Sequence, residues 1–340
     1  MNTVIGHKQV LYRMYETISQ GRQSHAYLIT GPNSVGKKLV AQYIASRLNC
    51  ENLDRFSCGE CQQCRRIAKG VHADCEIVSV DYDGSLHVDG KKRTVITIEQ
   101  IRKIIRECHL KPYEGKYRVY VVEAADRMSD EASNALLKTL EEPPDQVVII
   151  LLTSTLEKIL PTLSSRTQVI SLKTVNWPEL KQGLIDCLSL EDGVAEELAK
   201  TCGGKPGIAI KLFQEEDYKK WRSDALNEVE FVAMSRLQDR FVHGGSFAKR
   251  YAKDREGVLA ILTLWQEWWR DVLVCSFGLN DSIINQSRID NIVVNANKFG
   301  SFNSAKTIRI ISTTIEKLQM NFNPSLTIEQ MMLKMPIISK

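Results

Sequence analysis

The sequence predicts an α/β fold in its first half, a parallel sheet with crossover helices, followed by helical domains. Three observations carry that prediction. Short apolar runs alternate with helix-period stretches up to about residue 172, the strand signal stops there, and apolar residues at helical spacing continue afterwards. Five runs dominated by Val, Ile, Leu or Tyr are the candidate strands: 26–30, 76–80, 118–122, 147–152 and 168–172. Ahead of the third, Thr97 and Gln100 make a capping box, and Ile98, Ile101, Ile104, Ile105 and Cys108 share one helix face until Pro112. A further helix over 130–142 is stopped by Pro143 and Pro144. Segment 177–213 reads as a small helical unit broken at Gly203, Gly204, Pro206 and Gly207. From 214 onward a third, all-helical part carries Leu259, Leu262, Trp265, Trp269 and Leu273 at helical spacing, with breaks near 278–281 and 299–303. The expected domains are therefore 1–172, 173–213 and 214–340. Trp265, Trp268 and Trp269, at helical spacing, are expected to fill a core or interface rather than stack bases. The 84–93 stretch, with Gly84, Gly90 and the Lys91, Lys92, Arg93 run, reads as an exposed hairpin or loop.

Composition narrows the class. At 340 residues, 43% hydrophobic and 25% charged, the chain is too long for one core and excludes fibrous, collagen-like and disordered proteins. Its longest apolar run, 147–152, suits a buried strand and falls far short of the ~20 residues of a membrane span. The opening Met-Asn-Thr-Val-Ile-Gly-His-Lys lacks the layout of an export signal, so a cytoplasmic location with reduced thiols is expected. A net charge of +4 is too mild to establish nucleic-acid binding without a clustered patch.

Directly after the first candidate strand comes Gly31-Pro32-Asn33-Ser34-Val35-Gly36-Lys37-Lys38, then the helical Leu39 to Ala45. Such a loop surrounds phosphate oxygens with backbone amides and a helix N-terminus, while its lysine, here Lys37, reaches the outer phosphates. The motif normally closes on a Ser or Thr whose hydroxyl ligates magnesium, and here that position is Lys38. Hydrolysis also needs an acidic strand end and a carboxylate to orient water. The third strand ends in Glu123-Ala124-Ala125-Asp126. Glu123 can occupy the metal position, but Ala124 offers no proton acceptor. A missing general base costs about 100- to 10,000-fold, so ATP or ADP binding is expected to be weak or absent and hydrolysis negligible.

Four of the nine cysteines crowd together as Cys50, Cys58, Cys61 and Cys64. Tetrahedral zinc needs four thiolates converging at about 2.3 Å, and Cys58-Gly59-Glu60-Cys61 supplies a tight knuckle for them. Four thiolates fill the coordination shell, so the zinc is expected to be structural. Cys75 is outside the pattern, and Cys108, Cys187, Cys202 and Cys275 lie singly where a core thiol is the default. Arg166, taken alone, reads as a surface ion-pair residue.

With these stretches side by side, the chain resembles the delta-prime family of bacterial DNA polymerase III clamp-loader subunits, relatives of the gamma/tau motors within the AAA+ class. The resemblance rests on Gly21 to Leu28 before the loop, the four-cysteine insertion after its helix, Ala135 to Pro144, and Ser165-Arg166, and it covers about 5–210. It implies a RecA-like domain with a zinc module, a helical lid, and a helical collar that joins a pentameric ring with gamma/tau and delta subunits. In that family a Ser-Arg-Cys motif projects an arginine into the neighbouring ATP site. Here Ser165 and Arg166 are kept and Thr167 replaces the cysteine. Where motor subunits carry a nucleotide-sensing arginine in the lid, this chain has Gly207. The resemblance thus implies a largely non-hydrolysing subunit that supports loading of a sliding clamp onto primed DNA, with no membrane role. The rival is a competent gamma/tau-type ATPase, from which Lys38, Ala124 and Gly207 separate it. A stand-alone nucleic-acid reader built on the cysteines is disfavoured, because no aromatic platform or dense basic helix adjoins them.

Overall fold

The computed structural model describes residues 4–52, 58–80 and 95–336. The expected 84–93 loop lies outside them. Two compact units divide the chain, one comprising 1–199 with 204–208 and the other 200–203 with 209–340.

The first unit begins with α1 (Lys8–Ser19), whose Leu11, Met14 and Ile18 are buried on one face. Next come β1 (Ala26–Thr30), α2 (Lys37–Asn49), the short α3 (Gln62–Ala68) and β2 (Cys75–Val78). They are followed by α4 (Ile98–Glu107), β3 (Arg118–Val122), α5 (Asp130–Glu141), β4 (Val147–Thr153), one turn of α6 (Pro161–Ser164) and β5 (Gln168–Ser171). All five strand runs read from the sequence are present, and the sheet is parallel throughout in the order β2-β3-β4-β1-β5. β1 and β4 lie inside the sheet and are buried along their whole length, which is why they read as continuous apolar runs rather than alternating ones. Period two still assigns their side chains to faces. Tyr27, Ile29, Val148 and Ile150 join Val40, Ala41 and Ile44 of α2, whereas Leu28, Ile149 and Leu151 join Ile101 and Ile104 of α4 and Leu136 of α5.

The start of α4 follows the capping box read from the sequence. The Gln100 side chain accepts the Thr97 N–H at 3.0 Å at the start of α4, and Ser129 caps α5 by accepting the Ala132 N–H at 3.1 Å. After the sheet, α7 (Trp177–Leu188) and α8 (Asp192–Thr201) follow, and α9 (Pro206–Gln214) starts beyond the Gly203-Gly204 break.

The second unit is helical: α10 (Glu216–Met234), α11 (Leu237–Lys253), α12 (Arg255–Cys275), α13 (Ile289–Gln319) and α14 (Pro324–Lys334). Its core centres on Trp265, Trp268 and Trp269, each fully buried, with Trp268 and Phe299 packed edge-on against Trp269 at centroid distances of 5.1 Å. They are core residues, as their spacing indicated. The expected break near 299–303 is real: Gly300, at φ 66°, interrupts α13. Arg240 is buried with no carboxylate partner among the described residues. Its guanidinium instead donates to the carbonyls of Val232, Ala233, Met335 and Pro336, tying the end of α10 to the chain after α14. Among the described residues no helix is long and apolar enough to cross a membrane.

Candidate functional site

In a parallel sheet the loops that leave the carboxyl ends of the strands gather at one edge. Here that edge holds the phosphate loop after β1, Glu123 after β3 and Thr153 at the end of β4. Gly31 sits at φ 150°, where a Cβ would collide with the Leu172 carbonyl, and Gly36 sits at φ 107° as the N-cap of α2. Both glycines of the motif are required by backbone geometry. The loop is braced from outside: the Gly207 N–H donates to the Ser34 carbonyl at 2.9 Å, and His7 Nε2 lies 3.0 Å from the Val35 carbonyl. A side chain at 207 would press on Ser34 at 3.1 Å, so the absent arginine is matched by a close backbone approach.

The charges on this edge are paired internally. Lys37 Nζ donates to the carbonyls of Gly31 at 2.6 Å and Pro32 at 2.9 Å. Burial pulls its pKa down to about 8, while the negative charge of Asp126 opposes that shift. The Thr153 hydroxyl lies 3.0 Å from both Asp126 Oδ1 and the Thr155 carbonyl, which share its single proton. Lys38 Nζ lies 2.7 Å from Glu123 Oε1. Lys38, at the position where the motif normally carries a hydroxyl, is thus ion-paired with the acid that follows β3. Ala124 follows in the left-handed region at φ 55°.

Asp126, Thr153 and His7 were not singled out in the sequence. Thr153 had a readable signal, a hydroxyl residue at the carboxyl end of a central strand beside β1. His7 had none, because its contact spans 28 positions.

At the other end of α2, Cys50 caps the helix and Cys61 caps α3. The sulfurs of Cys50, Cys58, Cys61 and Cys64 all lie within 4.8 Å of one another, against about 3.8 Å between ligands of a tetrahedral zinc. The Cys61 N–H donates to Cys58 Sγ and the Cys64 N–H to Cys61 Sγ, each at 3.4 Å, while Gly59 at φ 62° turns the knuckle. The backbone amides of Glu60 and Cys61 pull the Cys58 thiol down to about 6, whereas burial pushes Cys50 and Cys64 up. Buried sulfurs this close repel one another once ionised, and a soft divalent cation relieves that repulsion. The residues fit such an ion.

A polar cluster fastens this end to the sheet. Asp74 accepts the N–H groups of Tyr113, Glu114 and Gly115 at 2.7–2.8 Å, and Asn49 Oδ1 accepts those of Lys116 and Tyr117 at 2.8 and 2.9 Å. Arg66 of α3 pairs with Glu114 at 2.5 Å.

Arg166 follows α6, and its Nη2 pairs with Glu141 Oε1 of α5 at 2.7 Å on the surface. Its Nη1 donates to the Thr162 carbonyl at 2.9 Å and lies 3.4 Å from the Ser165 hydroxyl. The register Tyr27↔Gln168 through Thr30↔Ser171 puts Arg166 before β5 and the phosphate loop after β1, at opposite edges of the sheet. At least about 13 Å of strand separates them.

A parallel sheet carrying a glycine loop after a buried strand, with an acid at the end of a neighbouring strand, defines a protein of the P-loop α/β class. A family model described as "DNA polymerase III, delta subunit" matches residues 6–176, and the chain belongs to that family. It is 33% identical over 216 residues to DNA polymerase III subunit tau of Escherichia coli (strain K12), covering 62% of this chain and 32% of that relative. It is 31% identical over 218 residues to subunit tau of Bacillus subtilis (strain 168), covering 62% and 37%. The chain thus spans about a third of the length of these relatives. A solved gamma subunit-related protein of DNA polymerase III from Thermotoga maritima aligns over 95% of this chain and 97% of its own at 17% identity, with a TM-score of 0.44.

Proposed function

We propose that this chain is a delta-prime-type subunit of a DNA polymerase III clamp loader, a largely non-hydrolysing member that presents Arg166 to the ATP site of an adjacent motor subunit. The observation that carries the reading is the Lys38–Glu123 pair, which puts an ammonium in the place of both the missing hydroxyl and the metal it would bind. Ala124 leaves no general base, so both halves of self-hydrolysis are disabled. Arg166 supports the other half of the reading. It lies at the sheet edge away from its own phosphate loop, and an exposed partner such as Glu141 is cheaply exchanged for the phosphate of a neighbour.

The remaining assignments follow from the same reading. Residues 173–213 serve as the lid and 214–340 as the collar of a hetero-oligomer with gamma/tau and delta subunits, acting in the cytoplasm on a sliding clamp and primed DNA. The four cysteines hold a structural zinc. The gamma/tau-type ATPase remains the second reading, favoured by the 33% identity to a tau subunit. Steady-state ATP turnover separates the two. The expected result is no turnover above background by the isolated chain, and a fall of roughly 1,000-fold at the affected site when Arg166→Ala is placed in the reconstituted loader. Brisk magnesium-dependent hydrolysis by the isolated chain rejects the proposal, as does an unchanged rate in the Arg166→Ala complex.

A further inference from the structure

We infer that the phosphate loop binds the diphosphate of a nucleotide without any divalent metal, with the Lys38 ammonium standing where magnesium would. The inference rests on reading the loop as a nucleotide site and goes beyond the subunit role, which requires no ligand there.

The binding half of the site is intact. Gly31 and Gly36 hold the backbone angles that the loop requires. The carbonyls of Gly31 and Pro32 face Lys37, that of Ser34 is held by Gly207, and that of Val35 faces His7. The first-turn amides of α2 have no acceptor within the helix and remain the natural partners of an anion. Lys37 needs only to exchange two carbonyls for phosphate oxygens.

The metal half has been rebuilt around a fixed monovalent cation. An ammonium carries three N–H donors. Glu123 Oε1 lies 2.7 Å away as its ion-pair partner, and the Lys38 side chain is 53% exposed, so its N–H donors can turn to phosphate oxygens. Magnesium asks for six oxygens at about 2.0–2.1 Å. Here the hydroxyl ligand is gone, the strand-end acid is committed to Lys38, and an incoming divalent ion would face that ammonium directly. On the protein side the balance already closes without metal, with Lys37 and Lys38 against Glu123 and Asp126.

The test is calorimetry of ADP binding to the full chain, in EDTA and in magnesium. The expected result is binding in EDTA at least as tight as in magnesium. Lys38→Thr reverses the dependence, with affinity falling about tenfold in EDTA and returning when magnesium is added. Lys37→Ala abolishes binding in both buffers. A wild-type affinity that magnesium raises tenfold overturns the inference, and so does the absence of ADP binding in both buffers. Thermal melts establish that each variant is folded, and the wild-type comparison alone decides the matter if Lys38→Thr is not. Ring assembly and the Arg166 effect are read separately, so failure here leaves the proposed function standing.

Discussion

The two ends of α2 use charge in opposite ways. At its amino end, Lys38 pairs with Glu123, Lys37 bonds to the Gly31 and Pro32 carbonyls and Asp126 to the Thr153 hydroxyl, through contacts a ligand can exchange. At its carboxyl end, Asn49 and Asp74 are buried, and their oxygens are committed to five backbone amides of the 113–117 segment. The first arrangement suits recognition, since each bond has a cheap alternative in water. The second suits stability, because a buried acceptor without its donors bears the full desolvation cost. One 13-residue helix therefore joins a replaceable site to a permanent one.

The largest expected effect is at the permanent end. On the proposed metal centre, chelation or Cys64→Ser should leave clustered sulfurs with no cation and loosen the Cys58–Cys61 knuckle. The thermal midpoint falls by about 5–10 °C, while the parallel sheet survives. Metal analysis and a melting curve check this. A purified chain with no bound metal, or a midpoint indifferent to chelator, removes the assignment of this end as a metal centre.

Asp74 comes next. Burial works against its carboxylate, but the three amides and the Arg118 guanidinium outweigh it and hold its pKa below the usual value. The stabilisation is therefore present above the unfolded pKa near 4 and is lost as pH falls through the lower folded value. Asp74→Ala should cost about 3 kcal/mol at neutral pH, and Asp74→Asn should flatten the acid limb of the stability curve. Denaturant titrations at several pH values measure both, and an Asp74→Ala cost under ~1 kcal/mol would show that the 113–117 segment is held by something else.

The replaceable end responds to pH in the other direction. With the free Lys37 near pKa 8, its charge is lost as pH rises past about 8, so ADP affinity should weaken there rather than near the ordinary lysine value of about 10.4. An affinity profile flat to pH ~9.5 would mean that burial does not control this lysine.

The sequence exposed the sheet because burial on both faces forces continuous apolar runs. The observed strands agree with the expected ones to within one or two residues, β2 differing most, at 75–78 against 76–80. The motif glycines and the Cys58–Cys61 knuckle were legible for a related reason: only certain residues tolerate those backbone angles or sit at ligand spacing. Cross-chain polar bonds were not legible. Asp74 meets residues about 40 positions away, and His7 reaches Val35, only because the topology brings them together. Lys38 shows the intermediate case. Its presence announced a lost hydroxyl, but its pairing with Glu123 required β3 to lie where it does.

The smallest expected effect bears on Arg166. Besides the bond to the Thr162 carbonyl in its own turn, the pair with Glu141 is the contact that ties this arginine to another element of its own subunit. Both side chains are well exposed, at 35% and 50%, so solvent screening leaves the pair little net worth. Glu141→Ala should change stability by less than ~0.5 kcal/mol. A loss of 2 kcal/mol or more (~2, the scale of a buried charged bond) would tie the guanidinium to its own subunit. The near-null result is the informative one. An arginine whose local partner contributes almost nothing is free to turn outward, and its effect then has to be sought in a neighbour's active site.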